Sequence, residues 1–373
     1  MFNKTPNIIK SGFLFEKPLR VLFLLIFSVI LSSIKAQTDT LFQNLYDDLP
    51  GYSNLFTESI PLKCTLKTDI KQFQRTKYED NYQYAELIYT NNGQLVSKTI
   101  RIKPRGVVRK KICALPPIRL NVQKIKKKNR IEHGKSKIKL VSHCIYNKQY
   151  ESYLMKEYLT YKSYEILTPV SFRTRLLEIT YIDTGRKNKA YTTWAFIIEP
   201  LELLAERLNA VPIKLNSVGI HYTDSSATDL LSMWSYMVGN TDWSVAGRHN
   251  IKLLKSSDHT KPYPLPIPYD FDYCGLVNTH YALPGEGLGI EHVQDRLFVG
   301  PCKLLSDYQQ AANIILLKRE ELEALMIEFP YLRDSSKEEM LWYLRSFFNS
   351  IEKENYIKYH IDTDCRSPKF DEE

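Results

Sequence analysis

The residues best suited to chemistry lie in Gly239 to Leu254, which contains Asp242 and Asn250, and in Tyr269-Asp270-Phe271-Asp272, which follows Asn250 at a distance of some twenty residues. The first stretch leaves a helix-like pattern and enters a strand-like one, and polar side chains in such a loop are well placed to face a ligand. Hard carboxylate and amide oxygens hold Mg²⁺ or Mn²⁺, and a further carboxylate can orient an attacking hydroxyl. Phosphoryl transfer needs this set, because a triphosphate brings about four negative charges that divalent cations must bridge. The expected division is Asp242 for the acceptor hydroxyl and Asn250, Asp270 and Asp272 for the metal. Singly, each has a plainer use: Asp242 can brace a loop, Asn250 can make a turn, and Asp270 with Asp272 can form ion pairs or a structural Ca²⁺ site. Their joint order points to a nucleotide-metal site with ATP and Mg²⁺ or Mn²⁺ as cofactors.

Such a site also needs a cation for the nucleotide phosphates. Lys139 is the first choice and Lys137 the second, since strand alternation puts both on one face, and Glu157 on the following helix is the expected partner. The chain lacks Gly-x-Gly-x-x-Gly; Pro104 to Lys111 stands in its place, with Arg105 or Arg109 expected to touch phosphate. Lys137 and Lys139 also continue a basic run that begins at Lys124, whose plainer reading is a solvated loop.

The elements that must position these residues are legible as patterns. Tyr84 to Thr90 and Val96 to Lys103 read as a hairpin about Asn91-Asn92-Gly93, and Ile118 to Val122 and Ile138 to Val141 as two more strands. Tyr150 to Leu167 has helical spacing and stops before Pro169. Leu176 to Asp183 and Thr192 to Ile198 read as an antiparallel pair. Helices then dominate, at Leu201 to Leu208, Ala227 to Val238, Leu304 to Ile327 and Ser336 to Ile351, around short strands at Ile251 to Leu254 and Leu265 to Tyr269. A β-rich half followed by an α-rich half predicts two lobes meeting at a cleft near Glu199.

Asn240 to Asn250 together with Asp270-Phe271-Asp272 resembles the CotH kinase family, secreted or spore-associated atypical kinases with Asp-Phe-Asp where ordinary kinases have Asp-Phe-Gly. The likeness extends more weakly upstream through Lys137 to Val141, the Tyr150 to Leu167 helix and the strand pair ending at Glu199. It implies an α+β, protein-kinase-like fold of two lobes: a β-rich N-lobe with one helix at 61–198 and a helical C-lobe at 199–360, before a tail at 361–373. Asn250 follows Asp242 by eight residues, where ordinary kinases have five.

Composition sets the remaining bounds. The chain has 373 residues, 43% of them apolar, with 25 Tyr and 16 Phe, enough for a sizeable core. Residues 1–36 read as an export signal, basic before the apolar run Val21 to Ile30 and ending at small residues; 37–60 is a lead-in segment. The apolar run falls short of the roughly 20 residues of a membrane span. Removing residues 1–36 lowers the net charge from +9 to +5. No helix-turn-helix or zinc-finger pattern accompanies the basic run, so nucleic acid is not an expected partner. The six cysteines contain no C-x-x-C pair, which disfavours zinc, and permit disulfides in a periplasmic or extracellular setting. The functional expectation is an exported kinase acting on a protein or glycan hydroxyl. The alternatives are an inactive or Ca²⁺-stabilised binding module, and an AMP transferase.

Overall fold

The computed structural model describes residues 53–91, 94–122, 137–214, 218–353 and 355–365. The expected signal segment, most of the lead-in, the Asn92-Gly93 turn, the Lys124 to Arg130 run and the tail beyond 365 lie outside the described residues.

Alternation of apolar and polar residues in β1 (Leu62–Thr68) buries Cys64, Leu66 and Thr68, and α1 (Ile70–Arg75) follows, capped by the Asp69 carboxylate, which accepts from the Gln72 amide. The hairpin β2 (Gln83–Asn91) and β3 (Gln94–Pro104) precedes a short helix, α2 (Val108–Ile112). Next come β4 (Ile118–Asn121), β5 (Lys137–Ser142) and the long α3 (Lys148–Leu167). β6 (Thr174–Asp183) and β7 (Lys189–Ile198) complete the sheet, whose order is β1-β2-β3-β4-β5-β7-β6. β1 pairs antiparallel with β2 and parallel with β6, Leu62 opposite Leu177, and so closes a seven-stranded mixed barrel.

That closure overturns the expected two-lobed, kinase-like fold. The β-rich half is a closed barrel, and it carries α1, α2 and α3 rather than one helix. The sequence reading missed β1, so it had no strand to join β2 to β6. The expected cleft near Glu199 is also absent among the described residues: Glu199 is buried and ion-paired to Arg173 and Arg207. From Phe56 onward the chain forms one compact unit, with a continuous core running through Leu159, Phe196, Trp234, Phe271, Ile315 and Leu344.

The C-terminal half starts with α4 (Leu201–Arg207) and β8 (Ala210–Ile213), then α5 (Ser225–Val238). β8 joins β9 (Ile251–Ser256) and β10 (Leu265–Pro268) in a second sheet of order β10-β9-β8. The expected single helix from Leu304 divides at Lys318 into α6 (Leu305–Leu317) and α7 (Arg319–Ile327), where the Lys318 amide closes a three-residue turn onto Ile315. α8 (Asp334–Ile351) and α9 (Asp362–Cys365) follow. No helix among the described residues is long and apolar enough to cross a membrane.

α3 is the element that positions the site. It is buried along most of its length from Ser152 to Tyr164, packed against β6, β7 and α7. Asn147 caps it by accepting from the Tyr150 amide, and Pro169 follows its end at Thr168.

Candidate functional site

α5 ends at Gly239, whose φ of +64° turns the chain out of the helix, and the Asn240 amide donates back to the Ser235 carbonyl at 2.7 Å. The following loop closes on itself: Ser244 and His249 exchange two backbone hydrogen bonds at 3.0 Å. This closure absorbs the eight-residue spacing and returns Asn250 to Asp242. Asn250 Nδ2 donates to both Asp242 Oδ2 and the Asp242 carbonyl at 2.9 Å, and the His249 ring lies 2.7 Å from Asp242 Oδ1. Arg248 and Asn250 take left-handed backbone conformations, at φ +51° and +50°, which a tight return of this kind requires.

The Asn250 carbonyl accepts the Tyr269 amide at 2.9 Å, tying this loop to the acidic motif. Asp270 also has positive φ, +71°, and its amide donates to Tyr161 Oη on α3 at 2.8 Å. A non-glycine residue held there is strained by roughly 1–3 kcal/mol, which the surrounding structure must sustain. Phe271 then packs on Tyr161 and Trp234 in the core, so the two flanking carboxylates are presented from a rigid point.

Asp270, Asp272 and Glu157 converge, each offering a carboxylate oxygen within 4.8 Å of the others. Arg109 of α2 spans two of them: Nη2 lies 2.5 Å from Glu157 Oε2 and Nε 2.8 Å from Asp272 Oδ2. Tyr281 Oη donates to the same Asp272 oxygen at 3.0 Å. Glu157 Oε1 is buried and has no hydrogen-bond partner.

Burial raises Glu157 and Asp272 above the usual carboxylate range; Arg109 opposes this, and the neighbouring acids add to it. Burial works against Asp270 as well, but Arg105, Arg109, Lys139 and His249 outweigh it and hold Asp270 below its ordinary value. Lys139 is lowered well below the ordinary lysine range, first by burial and then by Arg105, with Asp270 opposing.

Most of the residues expected from the sequence are therefore brought to one place, with their partners changed. Glu157 pairs with Arg109 rather than Lys139. The Lys139 ammonium sits over the Tyr269 ring at 4.0 Å, with Lys252 over the same ring at 4.8 Å. Arg105 is fixed through its amide to the Pro117 carbonyl at 2.8 Å and acts on Asp270. Arg109, expected at a phosphate, lies among the acids instead. Lys137, opposite Asn121 at the start of β5, is not among the leading charges acting on the triad. Sequence reasoning missed Tyr161, Lys252 and Tyr281. His249 had a visible signal, its place beside Asn250 in a polar loop.

The triad fits a hard divalent cation. Its donors are all carboxylate oxygens, which suit Mg²⁺, Mn²⁺ or Ca²⁺, and one buried donor atom lacks a partner. A small cavity beside it is lined by Arg109, Glu157, Asp272, Tyr150, Tyr153 and Tyr281. A surface recess of about 690 Å³ lies elsewhere, around Asp69, Gln72, Tyr82 and Glu86, and touches none of the triad. The triad, unlike that recess, combines three convergent carboxylates with an unpartnered buried donor atom. No family model matches the chain, and no curated protein does either.

Proposed function

We propose that the chain is an exported, metal-dependent phosphotransferase that moves phosphate from ATP to a protein or glycan hydroxyl. The observation that carries this reading is the convergence of Glu157, Asp270 and Asp272 on one point, with Arg105 and Lys139 acting on Asp270. Those carboxylates would hold Mg²⁺ or Mn²⁺, which when bound neutralises phosphate charge and polarises it toward attack. Lys139 and Arg105 provide positive charge for the phosphates on the Asp270 side. Asp242, oriented by Asn250 and His249 and partly exposed, serves the acceptor hydroxyl. The likeness to the CotH kinases is on this reading one of site chemistry, carried on a closed barrel. The Cys113–Cys144 disulfide supports an oxidising compartment and hence export.

A second reading, a Ca²⁺-stabilised or inactive binding module, is favoured by one observation: Arg109 already neutralises part of the triad. AMP transfer would use the same residues and release pyrophosphate. The test is the melting temperature of residues 37–373 with ATP and Mn²⁺ together, each alone, and neither. A shift that needs both and is lost in Asp270→Ala supports the phosphotransferase. A shift from Ca²⁺ with no nucleotide effect selects the binding module.

A further inference from the structure

We infer that Arg109 is a resident counter-ion that competes with the divalent cation for Glu157 and Asp272, and that α2 is a strap that must move aside before the cation binds. The inference rests on the metal site proposed above and concerns what controls its occupancy.

Arg109 uses Glu157 Oε2 and Asp272 Oδ2, two of the oxygens from which a cation in this cluster would draw its ligands. A bound Mg²⁺ or Mn²⁺ takes oxygens at about 2.1 Å and tolerates little distortion, so a guanidinium bonded to the same atoms excludes it or is excluded by it. Like charges a few ångströms apart at low dielectric repel strongly, which prevents the two cations from sharing the pocket. Arg109 is also an incomplete substitute for a metal: it leaves Glu157 Oε1 without a partner and supplies one positive charge against three carboxylates.

The way α2 is attached suits displacement. None of its five residues is buried, and its apolar side chains face solvent, Val108 and Ile112 being 43% and 39% exposed. Val107, just before it, is 77% exposed and caps nothing with its side chain. The helix is therefore held by Arg109, its second residue, and at its ends by the chain. Its C-terminal end is pinned by the Cys113–Cys144 disulfide and by Lys77 Nζ, which donates to the Cys113 carbonyl at 3.1 Å. At the other end Gly106, with φ +84°, follows the anchored Arg105. Movement is thereby confined to the short segment from Gly106 to Ile112, and breaking the Arg109 contacts is the main event needed to release it.

Two measurements test this on the full mature chain with its disulfide intact. Mn²⁺ binding is read by electron paramagnetic resonance for the wild type, Arg109→Met and Asp270→Ala, with circular dichroism as the check on folding. If the closed strap occludes the site, its removal raises the apparent Mn²⁺ affinity by about tenfold or more. The second measurement needs no substitution: trypsin cleavage after Arg109, Lys110 and Lys111, identified by mass spectrometry, is expected to accelerate when Mn²⁺ is added. Equal or weaker Mn²⁺ binding by folded Arg109→Met, or protection of residues 109–111 by Mn²⁺, overturns the strap. If in that case wild-type binding is still lost in Asp270→Ala, the metal site stands without it. No Mn²⁺ binding at millimolar concentration by either wild type or Arg109→Met overturns both. Should Arg109→Met fail to fold, the cleavage result decides alone.

Discussion

Two buried glutamates in this molecule are treated very differently. Glu199, at the junction of β7 and α4, has both oxygens occupied: Oε1 accepts from Arg173 and Arg207, and Oε2 accepts from Arg207 Nη2 and the Arg173 amide. Arg207 is itself tied to the Pro169 and Ser171 carbonyls, so that cluster is closed and complete. Glu157 has one oxygen on Arg109 and the other without a partner, while two further carboxylates press on it. A buried carboxylate with every lone pair answered fixes structure; one left short among like charges is a candidate ligand site.

The largest effect expected from breaking this contrast is at Glu199. Glu199→Ala leaves two arginines facing a buried void and should cost about 3–5 kcal/mol in urea unfolding, with or without metal. A loss under 1 kcal/mol would show that the closed cluster is not structural.

A second orphaned atom sharpens the comparison, because burial alone shifts its group. His143 Nδ1 is buried without a partner, with the ring packed edgewise against Tyr146, Tyr181 and Tyr191. Burial lowers His143 from 6.5 to about 4. Its folded value lies below its unfolded one, so the stabilisation is full above pH 6.5 and disappears as pH falls towards 4. The difference amounts to about 3 kcal/mol. His143→Phe should flatten that acid limb, measured as melting temperature against pH; an unchanged limb would mean the ring is not held neutral.

Glu157→Gln comes next. It removes one charge from the triad and should abolish the Mn²⁺-dependent gain in stability, about 2.7 kcal/mol at a hundred times the dissociation constant. The metal-free protein should lose little. Retention of the full gain would remove Glu157 from the site. The smallest effect is at Asn147, the cap of α3, where Asn147→Ala should cost about 1 kcal/mol and leave the Mn²⁺ response intact. A lost response would tie Glu157's position to the helix end rather than to the core around it.

Local patterning carried much of this protein. The alternation of β2 to β7, the spacing of α3 and the helical runs of the C-terminal half were legible because each depends on neighbours within one element. So was the order Asp242, Asn250, Asp270, Asp272, since those residues lie in short polar breaks between apolar elements. The division at Lys318 was not legible, because helical periodicity continues through Ile315, Leu316, Leu322 and Met326 on either side of it.

By itself, the sequence determined which residue types were available for phosphate and metal chemistry and which segments could be strands or helices. Barrel closure and the pairing of the acids were decided only in three dimensions. β1 needs β2 and β6 as neighbours, and a seven-residue alternating segment does not state which distant strand it will join or in which register. Glu157 could as well have met Lys139 as Arg109. The choice was made by the packing of α3 against the barrel and by the segment held at Cys113–Cys144, which together bring Arg109 to the acids. Charge pairing depends on ångström-scale placement across elements far apart in the chain, and only the folded structure sets that placement.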